Sequence, residues 1–163
     1  MIVKTRHTGL VVKDISASIA FYEALGLKVW KREVEKGDFL SQVVGLKHAE
    51  IETAKLKVSD GSLLELLEYK SHPTKPATFK YPSNNHGCSH VAFTVQDVQK
   101  ISSKIVQLGG SIVNAPAVSA NGSVKVMYCH DLDGILIELV QELDSQVSGR
   151  ILIIFFNRSI YHE

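Results

Sequence analysis

The sequence predicts an α+β fold made of two tandem βαβββ modules, and three internal matches predict it. Asp133-Gly134-Ile135-Leu136-Ile137-Glu138-Leu139 repeats Asp60-Gly61-Ser62-Leu63-Leu64-Glu65-Leu66, 73 residues earlier. His90-Val-Ala-Phe-Thr-Val-Gln-Asp97 repeats His7-Thr-Gly-Leu-Val-Val-Lys-Asp14 at an offset of 83. The same offset carries Leu25-Gly26 onto Leu108-Gly109. Self-similarity at a fixed offset marks a duplicated supersecondary unit.

Each element follows from local pattern. Val3 to Val12 is expected to be the first strand. Asp14 and Ser16 are candidate N-caps of a helix reaching about Leu25, whose apolar stripe is Ile15, Ile19, Tyr22 and Leu25 and whose stop is Gly26. Leu27 to Trp30 opens the next strand. The charged run Lys31 to Asp38 and the segment Phe39 to Glu50 are expected to be loop or lid. They are also the expected place of about ten extra residues, because the offset falls from 83 to 73 across this region. Ile51 to Val58 alternates as a strand, and Asp60-Gly61 turns the chain into the strand carrying Glu65. Pro73, Pro76 and Pro82 mark a linker. The order strand, helix and three strands then returns, with Val98, Ile101, Ile105 and Leu108 as the second helical stripe. The expected boundaries are a first module over 1–70, a linker over 71–85, a second module over 86–143 and a tail over 144–163. Within the tail, Ile151 to Phe156 is expected to be an extra apolar strand.

Bulk properties exclude several classes. A formal charge of +1 is too small for a protein that works by neutralising nucleic-acid phosphates. Six residues, Ile151 to Phe156, form the longest apolar run, against the roughly 20 that a membrane helix needs. The N-terminal region lacks the apolar core of a secretory signal. Cys88 and Cys129 make neither a CxxC motif nor a disulfide framework, so reduced thiols and a cytoplasmic location are expected.

The chemistry is expected at four repeat-equivalent positions: His7 and Glu65 in the first module, His90 and Glu138 in the second. A carboxylate inside an apolar strand is costly to bury unless a cation meets it. One such residue could be a paired core glutamate or an edge residue facing water. Two at matching places suggest a shared cation. If a pseudo-twofold axis relates the modules, two neutral imidazoles and two carboxylates converge, a set suited to one octahedral first-row dication. The other histidines lack this pairing. His86 and His90 are four apart, about 13 Å on an extended strand, too far for one ion. His130 is expected to be an exposed turn residue. His48, His72 and His162 sit in loop or tail segments. Glu68 and Glu142 are expected at the surface.

The segments His7-Thr-Gly-Leu-Val-Val-Lys-Asp14, Ser18-Ile-Ala-Phe-Tyr22 with Leu25-Gly26-Leu27, Gly87-Cys-Ser-His90-Val-Ala-Phe, and Asp131-Leu-Asp-Gly-Ile-Leu-Ile-Glu138-Leu resemble the vicinal oxygen chelate superfamily. That group contains glyoxalase I, methylmalonyl-CoA epimerase, extradiol dioxygenases and the fosfomycin and bleomycin resistance proteins. The resemblance spans roughly residues 3 to 142 and implies that the paired modules form a cupped mixed sheet around a metal. Leu132 departs from the proline usual in the last turn, and the tail after Ser145 has no counterpart.

The resemblance implies His7, Glu65, His90 and Glu138 as ligands of one divalent ion (Zn, Ni, Co, Mn or Fe). A ligand at Glu65 fits glyoxalase I and the epimerase. It does not fit the dioxygenase and fosfomycin branches, which leave that position out. The implied activity is a metal-dependent lyase or isomerase that removes a proton beside a carbonyl or thioester, with Glu138 as principal base and Glu65 as its counterpart. The alternatives are an extradiol-type ring-cleaving dioxygenase and a small-molecule binding protein without turnover. Arg6, Lys31, Arg32 and Lys125 are candidate contacts for an anionic substrate handle. A homodimer acting on a small molecule is expected, and family members differ in whether one chain or two supply the ligands.

Overall fold

The computed structural model describes residues 1–74, 83–84, 86–87 and 89–143. Its elements in chain order are β1 (Thr8–Val11), α1 (Ile15–Ala24), β2 (Lys28–Lys36), α2 (Asp38–Val44), β3 (Glu50–Lys57) and β4 (Leu63–Tyr69). The second half continues with β5 (Val91–Thr94), α3 (Val98–Gln107), β6 (Ser111–Ile112), β7 (Ala117–Val118), β8 (Val124–His130) and β9 (Leu136–Glu142). The fold is α+β with two open mixed sheets. One runs β1-β4-β3-β2; the other runs β5-β9-β8-β6, with β7 also on β8. In each sheet the first strand lies parallel to the last and the remaining pairings are antiparallel.

The helices begin and end where the repeat places them. Asp14 caps α1 by accepting from the Ala17 N–H, and Asp97 caps α3 by accepting from the Gln99 and Lys100 N–H groups. In both halves the chain leaves its helix through a glycine at positive φ, Gly26 at 105° and Gly109 at 97°. Glycine meets this need because it lacks the Cβ that crowds left-handed backbone.

Alternation on β4 separates two faces. Leu64 and Leu66 are buried in the core that holds Ile15, Phe21 and Tyr22 of α1, while Glu65 between them points to the opposite face. β9 repeats this: Ile137 and Leu139 join Val98 and Ile105 of α3, and Glu138 faces away. One apolar cluster takes in both sets of side chains. Gly110 is a packing requirement, since a Cβ there would stand 2.5 Å from the His130 carbonyl oxygen and 2.6 Å from Ile105 Cγ2.

Three expectations are corrected. The first strand is Thr8–Val11, shorter than Val3 to Val12, because its ladder begins at Thr8↔Leu64 and β4 itself starts at Leu63. The charged run after Trp30 is not loop. β2 extends to Lys36, pairs with β3 along its length and forms the edge of its sheet, where charged side chains suit solvent and discourage pairing with other chains. Between Gly37 and Gly45 the chain forms α2, which seats Leu40 with Ala49 and Ile51 in a small second cluster. The second half replaces β2 with the two short pieces β6 and β7. The expected strand Ile151 to Phe156, like Cys88 and most of the linker, lies outside the described residues.

Candidate functional site

His7 stands one residue before β1 and His90 one residue before β5, so both imidazoles enter at the start of a strand parallel to the one bearing a glutamate. The registers match between the halves: Gly9 lies opposite Glu65, and Ala92 opposite Glu138. His7 Nε2 is 2.9 Å from Glu65 Oε2, and His90 Nε2 is 3.2 Å from Glu138 Oε2. Within one chain these are two separate pairs. Among the described residues no three His, Cys, Asp or Glu side chains gather closely enough to hold an ion.

The surroundings of the pairs differ. Lys55 lies directly across the ladder from Glu65 and brings Nζ to 3.1 Å from Oε1. The residue across from Glu138 is Tyr128, whose ring meets His90 edge-on with centroids 5.3 Å apart. Desolvation, with the Glu138 charge second, raises the Tyr128 pKa, so the phenol keeps its proton at neutral pH. Ser89 Oγ lies 2.8 Å from His90 Nδ1. Facing a carboxylate, which only accepts, Nε2 carries the ring proton and donates to Glu138 while Nδ1 accepts from the Ser89 hydroxyl; an ion at Nε2 would reverse the Ser89 bond, with Nδ1–H donating. His7 Nδ1 is buried and has no hydrogen-bond partner among the described residues.

These residues fit a dication. Neighbouring donors at right angles around an ion with bonds of roughly 2.1 Å stand roughly 3.0 Å apart, and both nitrogen–oxygen separations fall there. The donors are two imidazole nitrogens and two carboxylates, one imidazole having its outer nitrogen already oriented.

A cavity of about 920 Å³ opens beside the first pair, lined by Arg6, His7, Trp30, Lys31, Lys55 and Phe93 among others. Arg6 and Lys31, expected as contacts for an anion, do line it. Arg32 does not: its guanidinium meets Glu52 and Ser16 on the helix-covered side. Lys125 lies on β8, away from this cavity.

Other residues depart from expectation. His130 is buried at the end of β8, because the Ser111↔His130 pairing covers it, and is not an exposed turn residue. Glu68 is not a plain surface charge. Its Oε2 accepts from the Ile15 N–H at 2.9 Å and its Oε1 meets Lys70, so it closes the first turn of α1. Gln141, its repeat counterpart, does the same for α3 through the Val98 N–H at 3.0 Å. Lys55, Tyr128 and Ser89 were missed; the first two follow only from the register of the β3–β4 and β8–β9 hairpins.

Residues 4–139 match the model of the Glyoxalase/Bleomycin resistance protein/Dioxygenase superfamily. The chain is 30% identical over 137 residues to a probable lactoylglutathione lyase of Synechocystis sp., covering 83% of this chain and 92% of that one. It is 26% identical over 138 residues to a lactoylglutathione lyase of Neisseria meningitidis, covering 83% and 88%. A glyoxalase family protein from Bacillus cereus superposes with a TM-score of 0.81 at 29% identity, over 88% of this chain and 97% of that chain.

Proposed function

The chain belongs to the Glyoxalase/Bleomycin resistance protein/Dioxygenase superfamily, and from that premise we propose that it is a metal-dependent lyase or isomerase that moves a proton beside a carbonyl. The observation that carries this reading is the repeated pair, imidazole Nε2 against carboxylate at 2.9 and 3.2 Å in copy-equivalent positions. The two relatives named for lactoylglutathione lyase activity support a glutathione hemithioacetal as the first substrate to test. Because the pairs stand apart within one chain, the four donors meet when the His7–Glu65 pair of one copy faces the His90–Glu138 pair of a second, which makes the working form a homodimer.

His7, Glu65, His90 and Glu138 would hold the ion. When bound, a dication supplies Lewis-acid stabilisation of the negative charge that develops on the substrate oxygen. Glu138 is the base. It is the more exposed of the two carboxylates in the single chain, with 22% side-chain exposure against 10% for Glu65. A free carboxylate is a weak base for a carbon-bound proton, and Glu138 contributes by being placed beside that carbon and by returning the proton to the product. Ser89 keeps His90 turned toward Glu138. Tyr128, still protonated, would offer a hydrogen-bond donor beside His90. Arg6 and Lys31 offer positive charge to an anionic handle at the cavity wall.

Elemental analysis of the purified protein and turnover assays with a glutathione hemithioacetal, an acyl-CoA thioester and a catechol test this reading. The expected result is bound first-row metal, hemithioacetal turnover, and a loss of about 10²- to 10⁴-fold in kcat for Glu138→Gln with metal retained. Full turnover in that variant, or protein that takes up no metal, would overturn it. Ring cleavage of the catechol, with metal binding indifferent to Glu65→Gln, would move the assignment to the dioxygenase branch.

A further inference from the structure

The two carboxylates that the repeat makes equivalent are electrostatically unlike. Glu65 has both oxygens engaged: Oε2 faces His7 Nε2 at 2.9 Å and Oε1 faces Lys55 Nζ at 3.1 Å. Lys55 holds this place because the β3–β4 ladder sets it squarely across from Glu65, and its side chain is only 22% exposed. The corresponding position across from Glu138 carries Tyr128, a neutral phenol. Among the described residues the only ion-pair partner of Glu138 is His90, at Oε2, so its Oε1 has no cation.

We propose that Lys55 is a positioning residue that reserves Glu65 as a fixed ligand through one oxygen, leaving Glu138 as the carboxylate free to leave the ion and carry the proton. The inference rests on the metal-dependent reading above and deepens it by explaining why one of two equivalent acids becomes the base. The ammonium ties down the oxygen that would otherwise close on the ion as a second donor. It also cancels one of the two carboxylate charges facing the ion. A copy with lysine in both halves would hold both acids rigidly; a copy with lysine in neither would leave them interchangeable.

Binding of Zn(II) alone to metal-free protein, measured by competition with a chromophoric chelator, tests the assignment in the wild type, Lys55→Met and Lys55→Arg. Removing the ammonium frees Glu65 Oε1 and restores a negative charge beside the ion. Lys55→Met is therefore expected to bind Zn(II) on the order of tenfold more tightly, and Lys55→Arg to bind like the wild type. Thermal unfolding supplies the second readout. Lys55→Met should unfold at lower temperature than the wild type when metal-free, because Glu65 has lost a partner, and the deficit should close when Zn(II) is added. Unchanged or weaker Zn(II) binding by Lys55→Met, with the same deficit in metal-free and loaded protein, would reduce Lys55 to a structural ion pair and overturn the proposal while leaving the metal site standing. A wild type that binds no Zn(II), Ni(II) or Co(II) would overturn both.

Discussion

The hydroxyl of Tyr22 donates to Asp131 Oδ2 at 2.9 Å, pinning helix α1 of the first half to the last turn of the second across 109 positions of sequence. The other oxygen of Asp131 accepts from the N–H groups of Asp133 and Ile135, so the carboxylate organises the turn as well as the junction. Asp133 adds a second tie, accepting from the Lys13 N–H. The repeat counterparts of Tyr22 and Asp131 are Ile105 and Val58, so this pin exists on one side only.

Tyr22→Phe removes the donor and leaves a buried carboxylate oxygen unmatched. A cost of about 1–3 kcal/mol is expected, read as a lower midpoint in urea unfolding with an unchanged slope. Asp131→Asn, which keeps an acceptor for the turn, should cost less than Asp131→Ala.

The same site sets a pH dependence, and Glu52 sets one of opposite sign. Desolvation raises the Asp131 carboxyl above its ordinary 3.8, so the folded chain holds this proton when the unfolded chain has released it. Its contribution to stability is full below the ordinary value and declines as pH rises through the raised one. Asp131→Asn should therefore gain on the wild type between acid and neutral pH. Glu52 is lowered from 4.5, first by its hydrogen bond to Lys70 and then by the bond to Arg32. That contribution is present above 4.5 and lost as pH falls through the lowered value. Glu52→Gln should be the less stable protein at neutral pH and match the wild type in acid. Thermal melts at a series of pH values separate the two.

Ser89→Ala should weaken metal binding about 10- to 100-fold without disturbing the fold, because it removes the group that orients His90 and nothing from the core. Chelator competition reads the affinity, and circular dichroism checks the fold.

Glu68→Ala and Gln141→Ala should each cost about 1 kcal/mol, as for loss of a helix-capping acceptor, with Glu68→Gln retaining most of the stability. The two sites sit in different halves, so the double variant should show the sum. Urea unfolding of the wild type and the four variants checks all three statements.

Much of this was legible in the sequence because a duplication prints its own evidence. Asp14 and Asp97 cap their helices, and the Leu-Gly pairs end them, as the two offsets require. His7, Glu65, His90 and Glu138 were legible as two copies of one pair because matched polar residues in apolar strands stand out. Whether one chain or two supply the ligands was not, since spacing within a chain says nothing about which surfaces face one another. β2 was hidden by its charge: an edge strand with lysines and glutamates has the composition of a loop, and only its pairing with β3 distinguishes the two. α2 was hidden by its seven-residue length, too short for a helical period to repeat clearly. Lys55 and Tyr128 required knowing the hairpin register, which residue types alone do not give.

The one-sided pin has a consequence for how the protein is made. All ladders of the first sheet close within residues 8–69, and the Glu68 clasp on α1 lies inside the same span. Chains are synthesised from the N-terminus and their units fold as they emerge. The first half can thus take shape while the ribosome is still adding the second, with the Tyr22 hydroxyl waiting for a carboxylate not yet translated. Until the second half arrives, that hydroxyl has no carboxylate to meet and the apolar cluster shared by the two halves is covered on one side only.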